Sequence, residues 1–484
     1  MEQNYKTLFK SYDVRGTYPL INGTIAYWVG YSLVKEILEP ENLSLKVNIV
    51  HDHRLSSNEL YKAIYHGIKD AGGVPIPLGL GSTDMLYASC QMLDNAGVMI
   101  TASHNPPADN GIKIVKKAPQ MIGLGSGLEK IRDSIYFSDL KNIEINEFDD
   151  VIEETELKNN LLDFFKDKIK LVGNAENISD KLQQRRLKVV VDTGNGMGGF
   201  VMEQMLKIYT NIEFIPLYWE LDGSYPHHPA DPIQDKNVAD LKRKVVEENA
   251  DFGIAFDGDA DRAFFIDENG KRVVGDFLMA TFAKFQLEKY FSGEFKQEGI
   301  NPVIVYNQPA SRCTPEVVKE AGGICEAVLQ GHTYIKAKLL ETHGLYGCEH
   351  SGHNYFSQFG WMDSGVLAAA LFINVLVSKD VKASEITGDL KYKYFLSGEI
   401  NFILDGNISS KDRLKGIEQK LQSIYPDAEY QYLDGISVVY PEWKVNLRLS
   451  NTEPLLRLNI EVKAPGNDID VKQRLEEIKN LLNL

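Results

Sequence analysis

Residues 252–266 read FGIAFDGDADRAFFI. An apolar run enters a polar loop, and a second apolar run leaves it at Ala263. Short runs that are apolar at consecutive positions read as strands buried on both faces. Four other stretches follow the same design: Val47–Val50 runs into HDHR, Gly97–Ile100 into TASHNP, Lys188–Val191 into DTGNG and Pro302–Tyr306 into NQPAS. Those before HDHR, DTGNG and NQPAS share a strand, loop and helix order that hints at a degenerate internal repeat. Such strands alternating with helices predict an α/β fold with mostly parallel sheets and functional loops at the strands' carboxyl ends. The end of the chain differs. Val445–Ser450 (VNLRLS) and Leu456–Val462 (LRLNIEV) alternate strictly, which predicts an antiparallel sheet with one wet face in a smaller α+β domain. Candidate linkers are Asp139–Asn160 and Ser378–Glu385.

The chain has 484 residues, enough for about three or four domains. Hydrophobic residues are 43% and charged residues 25%, the balance of a folded soluble protein. The net charge of −16 argues against a general nucleic-acid binder or a protein lying on an anionic membrane. It leaves room for a phosphorylated substrate where a few bases converge. Cys90, Cys313, Cys325 and Cys348 form no C-x-x-C, so neither a zinc knuckle nor a disulfide framework is indicated. Free thiols fit a reducing cytosol. The start, MEQNYKTLFK, lacks a signal-peptide core. The greasiest run, Val366–Val377, is interrupted by Asn374 and is too short to span a bilayer. The expectation is a cytoplasmic multidomain protein with no nucleic-acid or membrane partner; oligomeric state is not legible.

Asp257, Asp259 and Asp261 alternate in DGDADR. Three nearby carboxylates repel unless a cation joins them, and their hard oxygens suit Mg²⁺ or Ca²⁺. An EF-hand needs glycine where Arg262 stands, and a haloacid-dehalogenase loop needs a Gly-Thr that is absent. In TASHNP, Ser103 is a candidate nucleophile or phosphate carrier, and Lys113 in NGIKI follows ten residues later, able to offset a phosphate. In CEHSGH, Glu349, Ser351 and His353 alternate; in an extended loop they face one way and suit sugar hydroxyls. H-x-x-H without a third ligand makes zinc a weak reading there. In RLSNTEP, Arg448 precedes Ser450, Asn451 and Thr452, a set that builds anion nests or, equally, a plain hairpin turn. Finally, Gly194–Gly199 matches G-x-G-x-x-G, with Glu213 at the spacing of a ribose-binding acid. It reads as a tight strand–helix turn, with dinucleotide binding the minor alternative.

Together, YDVRG, TASHNP with NGIK, DGDADR, GHTYIK, CEHSGH and RLSNTEP, in that order, resemble the α-D-phosphohexomutase family along nearly the whole chain. The resemblance implies three related α/β domains and a C-terminal α+β domain around a central cleft, here 1–158, 159–267, 268–382 and 383–484. It implies that Ser103 carries a phosphoryl group, and that Asp257, Asp259 and Asp261 bind Mg²⁺ with the Ser103 phosphate. Lys113, His104 and Arg262 then serve at the transfer point, with Lys113, His104 and His353 as candidate acid/base groups. Tyr12, Arg15, Arg312, His332, Glu349, Ser351, His353, Arg448, Ser450, Asn451 and Thr452 become substrate contacts, although Arg312 stands where the family often has lysine. The implied reaction interconverts hexose 1-phosphate and hexose 6-phosphate through a 1,6-bisphosphate, which also serves as activator. Ala260 replaces a more frequent glycine. His350 and WMDSG look more like mannose and glucose enzymes than glucosamine ones. Phosphoglucosamine mutase is the nearest alternative; a nicotinamide oxidoreductase and a silent phosphosugar-binding protein are the remoter ones.

Overall fold

The computed structural model describes residues 5–137, 152–295, 297–404, 410–449 and 455–482. Twenty strands form four sheets among them. The first sheet holds β1 (Val14–Thr17), β2 (Lys46–His51), β3 (Val74–Leu80), β4 (Ala96–Ile100), β5 (Asp109–Lys117) and β6 (Gln120–Met121). The second holds β7 (Lys188–Asp192), β8 (Glu213–Leu217), β9 (Phe252–Phe256) and β10 (Ala263–Asp267). The third holds β11 (Asn301–Asn307), β12 (Ile324–Val328), β13 (Gly344–Cys348), β14 (Asn354–Phe356) and β15 (Met362–Asp363). The last holds β16 (Tyr394–Ile403), β17 (Glu429–Gln431), β18 (Ile436–Val439), β19 (Trp443–Leu449) and β20 (Leu455–Lys463).

The repeat is real and lies in the topology. β2, β7 and β11 are central strands, each paired in parallel with the strands that follow it on either side. An antiparallel strand then closes each unit: β5 on β4, β10 on β9 and β14 on β13. The three apolar runs that shared a sequence pattern are the three central strands. TASHNP, DGDADR and EHSGH each follow the equivalent third strand, β4, β9 and β13. One topological position, used three times, thus delivers three loops to one place. The fourth sheet is antiparallel throughout, in the order β16-β20-β19-β18-β17, as the alternating pattern predicts.

The greasy run near residue 370 is the helix Gly365–Lys379, buried from Gly365 to Val377. It packs against helices of the second and third domains, and no helix among the described residues is long and apolar enough to cross a membrane. Phe372 stacks on Phe265 at 4.1 Å, and Asn374 Nδ2 donates to the Val172 carbonyl at 3.1 Å. A single apolar cluster runs from Val50 and Leu86 through Met202 and Phe282 to Ile386. Of the expected linker Asp139–Asn160, residues 139–151 lie outside the described residues, and its end belongs to the helix Leu157–Gly173, whose apolar positions Leu161, Phe165 and Ile169 dock into that cluster. The other expected linker is also structured at both ends, by the helix reaching Lys379 and the turn Ala383–Glu385.

The last domain keeps its own core around Leu421, Val445, Leu447, Leu458 and Ile478. Its contact with the third domain combines a small apolar cluster, Phe277, Ala280 and Cys313 with Leu390 and Tyr394, with buried polar bonds. Lys444 Nζ donates to the carbonyls of Gln308 (2.9 Å) and Ala310 (3.0 Å), and Gln308 Nε2 donates to Ser437 Oγ at 2.9 Å. Burial pushes the Lys444 ammonium down to about 8, despite the nearby Glu461 carboxylate. An unfolded lysine titrates near ~10.4. Below about pH 8 the residue is charged in both states and the full cost of burying the charge is present; as pH rises toward ~10.4 the folded form sheds its proton first and the cost disappears. The stability difference between the wild type and Lys444→Met should therefore shift in favour of the wild type, by up to about 3 kcal/mol, between pH 7.5 and 10. Urea unfolding at both pH values measures it, and a flat difference would mean that the ammonium is solvated.

Candidate active site

Ser103 sits at the end of β4 with its backbone in the left-handed region (φ 51°). Its N–H donates to Thr101 Oγ1 at 2.9 Å, and its hydroxyl donates to Asp257 Oδ2 at 2.8 Å. The first domain's loop therefore meets the second domain's loop at the atom of interest. They approach so closely that a Cβ on Gly258 would lie 2.3 Å from the Ser103 carbonyl oxygen, so no side chain fits there. Arg262 completes the corner: Nη2 donates to Ser103 Oγ at 3.2 Å and to Asp257 Oδ2 at 2.7 Å. It also donates to His104 Nδ1, and that nitrogen lies 3.3 Å from Ser103 Oγ.

Asp257, Asp259 and Asp261 are all buried, and each offers an oxygen within 4.8 Å of the others. Lys113 is no solvated strand lysine. Its Nζ lies 2.6 Å from both Asp259 Oδ2 and Asp261 Oδ2. Burial alone drives these acids toward the neutral form, but Lys113 outweighs it, so Asp259 is held below the ordinary range and Asp261 falls to about 2. Asp257 lacks that partner; burial lifts it to about 7, with Arg262 opposing. Oδ1 of Asp259 and Oδ1 of Asp261 are buried without a hydrogen-bond partner. Hard oxygens converging with unused lone pairs fit a divalent cation of the Mg²⁺ type.

The third domain closes the site from the other side. Arg262 and His353 form a backbone bridge, and His353 Nδ1 lies 2.8 Å from Asp363 Oδ2 and 3.8 Å from Asp261 Oδ1. Burial disfavours the charged imidazole, but these two carboxylates raise it. The CEHSGH segment is a tight turn, not an extended loop: the Gly352 N–H returns to the Glu349 carbonyl at 3.0 Å. The alternation rule therefore fails for it. Glu349 faces inward, accepting from the Gly331 N–H (2.8 Å) and the Tyr355 hydroxyl (2.6 Å), while Ser351 lies half-buried on the turn. Tyr12 reaches across from the first domain to donate to the Gln330 carbonyl at 2.7 Å and meets the His332 ring edge-on at 5.5 Å. Arg15 donates to Asn105 Oδ1 at 3.0 Å, beside the Ser103 loop.

Arg448 is buried and donates to Glu399 Oε2 at 2.8 Å; Arg457 lies 3.1 Å from Glu399 Oε1, and His350 Nε2 4.0 Å from Glu399 Oε2. The fourth domain thus touches the CEHSGH turn. Ser450, Asn451 and Thr452 lie outside the described residues. Arg312 is held in the contact between the third and fourth domains: Nε and N donate to Glu461 (2.7 and 2.9 Å) and Nη1 to the Tyr440 carbonyl (2.7 Å). The glycine turn after β7 is filled by protein. A Cβ on Gly196 would meet the Gly258 carbonyl oxygen at 2.8 Å, and one on Gly199 the Trp219 carbonyl oxygen at 2.9 Å. Its glycines admit the metal loop and Trp219, not a pyrophosphate.

Models of the phosphoglucomutase/phosphomannomutase α/β/α domains I, II and III match residues 6–136, 166–270 and 274–394. The chain is 33% identical to the phosphohexose mutases of Xanthomonas campestris pv. campestris, over 98% of each chain. It is likewise 33% identical to the phosphomannomutase of Vibrio cholerae, over 98% of each. The chain belongs to the phosphoglucomutase/phosphomannomutase family. It is a phosphohexomutase, an enzyme that relocates a phosphoryl group within a sugar phosphate. A crystal structure of a family protein from Burkholderia thailandensis has the same fold, with a TM-score of 0.80 at 24% identity, covering 99% of this chain and 98% of that one.

Within this phosphohexomutase, several residues escape sequence reasoning. Lys336 is 1% exposed, pairs with Asp363 Oδ1 at 2.6 Å and donates to the Tyr87 hydroxyl at 3.0 Å. Burial lowers it, against the pull of Asp363. Lys336 lies in GHTYIK and Asp363 in WMDSG, so both were in view, but nothing in either motif says that they meet. Thr83, whose hydroxyl donates to Asp259 Oδ2 at 2.6 Å, carried no signal. Removing the Lys113 charge tests the cation site. Lys113→Met leaves Asp259 and Asp261 uncompensated and should cost about 3–5 kcal/mol of stability in a chelator. Millimolar Mg²⁺ should raise the Tm of the variant more than that of the wild type. Equal shifts would place the cation elsewhere.

Proposed function

We propose that this phosphohexomutase interconverts hexose 1-phosphate and hexose 6-phosphate, with mannose and/or glucose as the sugar, through phosphorylated Ser103 and a hexose 1,6-bisphosphate. The supporting observation is the placing of Ser103 Oγ, 2.8 Å from Asp257 and 3.2 Å from Arg262, at the junction of three domains. The reaction is mostly positioning and charge neutralisation. Asp257, Asp259, Asp261 and the Ser103 phosphate would hold Mg²⁺, which supplies neutralising charge for the phosphoryl oxygens. Arg262 offsets charge at the same oxygens from the protein side, while Lys113 balances Asp259 and Asp261.

In the forward direction the bond from phosphorus to Ser103 Oγ breaks and a bond to the sugar hydroxyl forms. The hydroxyl proton leaves to a base and the serine oxygen recovers one. Of the candidate acid/base groups, Lys113 pairs with two carboxylates and His353 with Asp363, while His104 Nδ1, which accepts from Arg262, lies 3.3 Å from Ser103 Oγ. The bisphosphate then turns end for end and returns its other phosphate to Ser103. Arg448 grips the phosphate that stays, adding remote binding energy to the transition state. Glu349, Ser351 and His353 line the sugar between the two ends. His350 beside Asn307, together with WMDSG, supports mannose or glucose over glucosamine.

Ser103→Ala should cut turnover by several orders of magnitude while circular dichroism stays native; near-normal rates would remove Ser103 from the reaction. Arg448→Ala should raise KM by about ten- to a hundredfold with little change in metal affinity. A rate panel on mannose, glucose and glucosamine 1-phosphates, with Mg²⁺ and a trace of hexose 1,6-bisphosphate, identifies the sugar; fastest turnover of glucosamine phosphate would overturn the preference.

A further inference from the structure

The HDHR loop that follows β2 has no place in the scheme above, yet its Arg54 is 2% exposed and spends its guanidinium on one object. Nη2 donates to the carbonyls of Ser103 and Asn105, both at 2.8 Å. Nη1 donates to those of Pro106 (2.7 Å) and Asp109 (2.9 Å). All four carbonyls belong to the loop that carries Ser103. We propose that Arg54 is a positioning residue for phosphoryl transfer: it fixes the backbone of the 103–109 loop so that Ser103 Oγ stays aligned with Asp257 and Arg262. This inference rests on the phosphoserine reading of Ser103.

Three observations carry it. Ser103 has a positive φ of 51°, which residues with a side chain resist and which persists only where the surroundings over-determine it. The planar fork of an arginine can span four carbonyls at once, whereas a lysine donates from a single point. The fork is itself held from behind. Asp52 Oδ2 lies 3.3 Å from Arg54 Nε, and the Tyr225 ring, from the second domain, faces the guanidinium at 5.2 Å. The same tyrosine places its hydroxyl where a Cβ on Gly258 would lie 3.0 Å away. The clamp therefore touches the backbone of Ser103 and lies beside Gly258, the residue after Asp257, without touching the reacting atoms.

The test uses the full chain with Mg²⁺, comparing Arg54→Lys, Arg54→Met, Ser103→Ala and the wild type. A displacement of the carrier by about 1 Å is enough to slow transfer about a hundredfold. Both Arg54 variants are expected to lose kcat on that scale, Lys less than Met, with KM within about threefold of the wild type. The phosphoenzyme should also partition differently: transfer to hexose 1-phosphate falls more than hydrolysis, because a small mobile water can follow a displaced phosphate into line whereas a sugar pinned elsewhere cannot. A simple folding defect lowers the active fraction without changing that partition. A wild-type kcat, or an unchanged ratio of transfer to hydrolysis in folded variants, overturns the proposal. If neither Arg54 variant folds, Tyr225→Leu takes over; it keeps the arginine but removes the face behind it, and a smaller shift in the same ratio is expected, with no shift counting against the idea. Loss of activity in Ser103→Ala with normal Arg54 variants refutes this inference alone. Activity in Ser103→Ala refutes the phosphoserine reading beneath it.

Discussion

Three carboxylates buried within 4.8 Å of one another are the constraint around which this chain is arranged. Left alone they would repel and be neutralised by protons, so each is answered by a cation or donor. Lys113 comes from the first domain, Arg262 from the DGDADR loop itself and His353 from the third domain. Meeting the charge requirement of one loop therefore forces three domains to converge. The place where they converge is also where a phosphoryl group, another dense anion, can be handled. Fold and chemistry answer to the same electrostatic demand.

How much of this the sequence shows depends on the range of the interaction. The buried strands β2, β4, β7, β9 and β11 were legible because a run of apolar residues reports local burial. The loops at their ends were legible because a strand's carboxyl end is where an α/β fold exposes its backbone. The alternation in β19 and β20 was legible for the same local reason. Lys336 and Asp363 were not, since a salt bridge between residues 27 positions apart leaves no periodic trace. The CEHSGH reading failed because alternation holds only for extended backbone, and a turn at Gly352 breaks it. Arg54 stood in a noted loop, but four backbone carbonyls as partners have no signature in side-chain identity.

The threefold reuse of one strand position explains why motifs scattered over some 250 residues act together. β4, β9 and β13 are equivalent in their sheets, so each repeat presents its loop at the same corner, and packing the repeats side by side aligns the corners. The fourth domain approaches differently. Its own core is closed, and it meets the third domain through a small apolar cluster of Phe277, Ala280 and Cys313 with Leu390 and Tyr394, together with hydrogen bonds and ion pairs such as Arg312–Glu461. Arg448 is therefore carried on a unit whose contacts with the third domain include polar ones at Gln308, Ala310 and Glu461.

The helix Gly365–Lys379 has a bearing on how the molecule is made. It fills the space between the second and third domains, yet it is among their last parts to be synthesised. Until it leaves the ribosome, the faces that Phe265, Val172 and their neighbours turn toward it have nothing to cover them. A nascent chain of some 350 residues therefore carries a large greasy surface for many seconds at ordinary elongation rates. That interval, rather than the finished enzyme, is when a holdase chaperone has most to grasp.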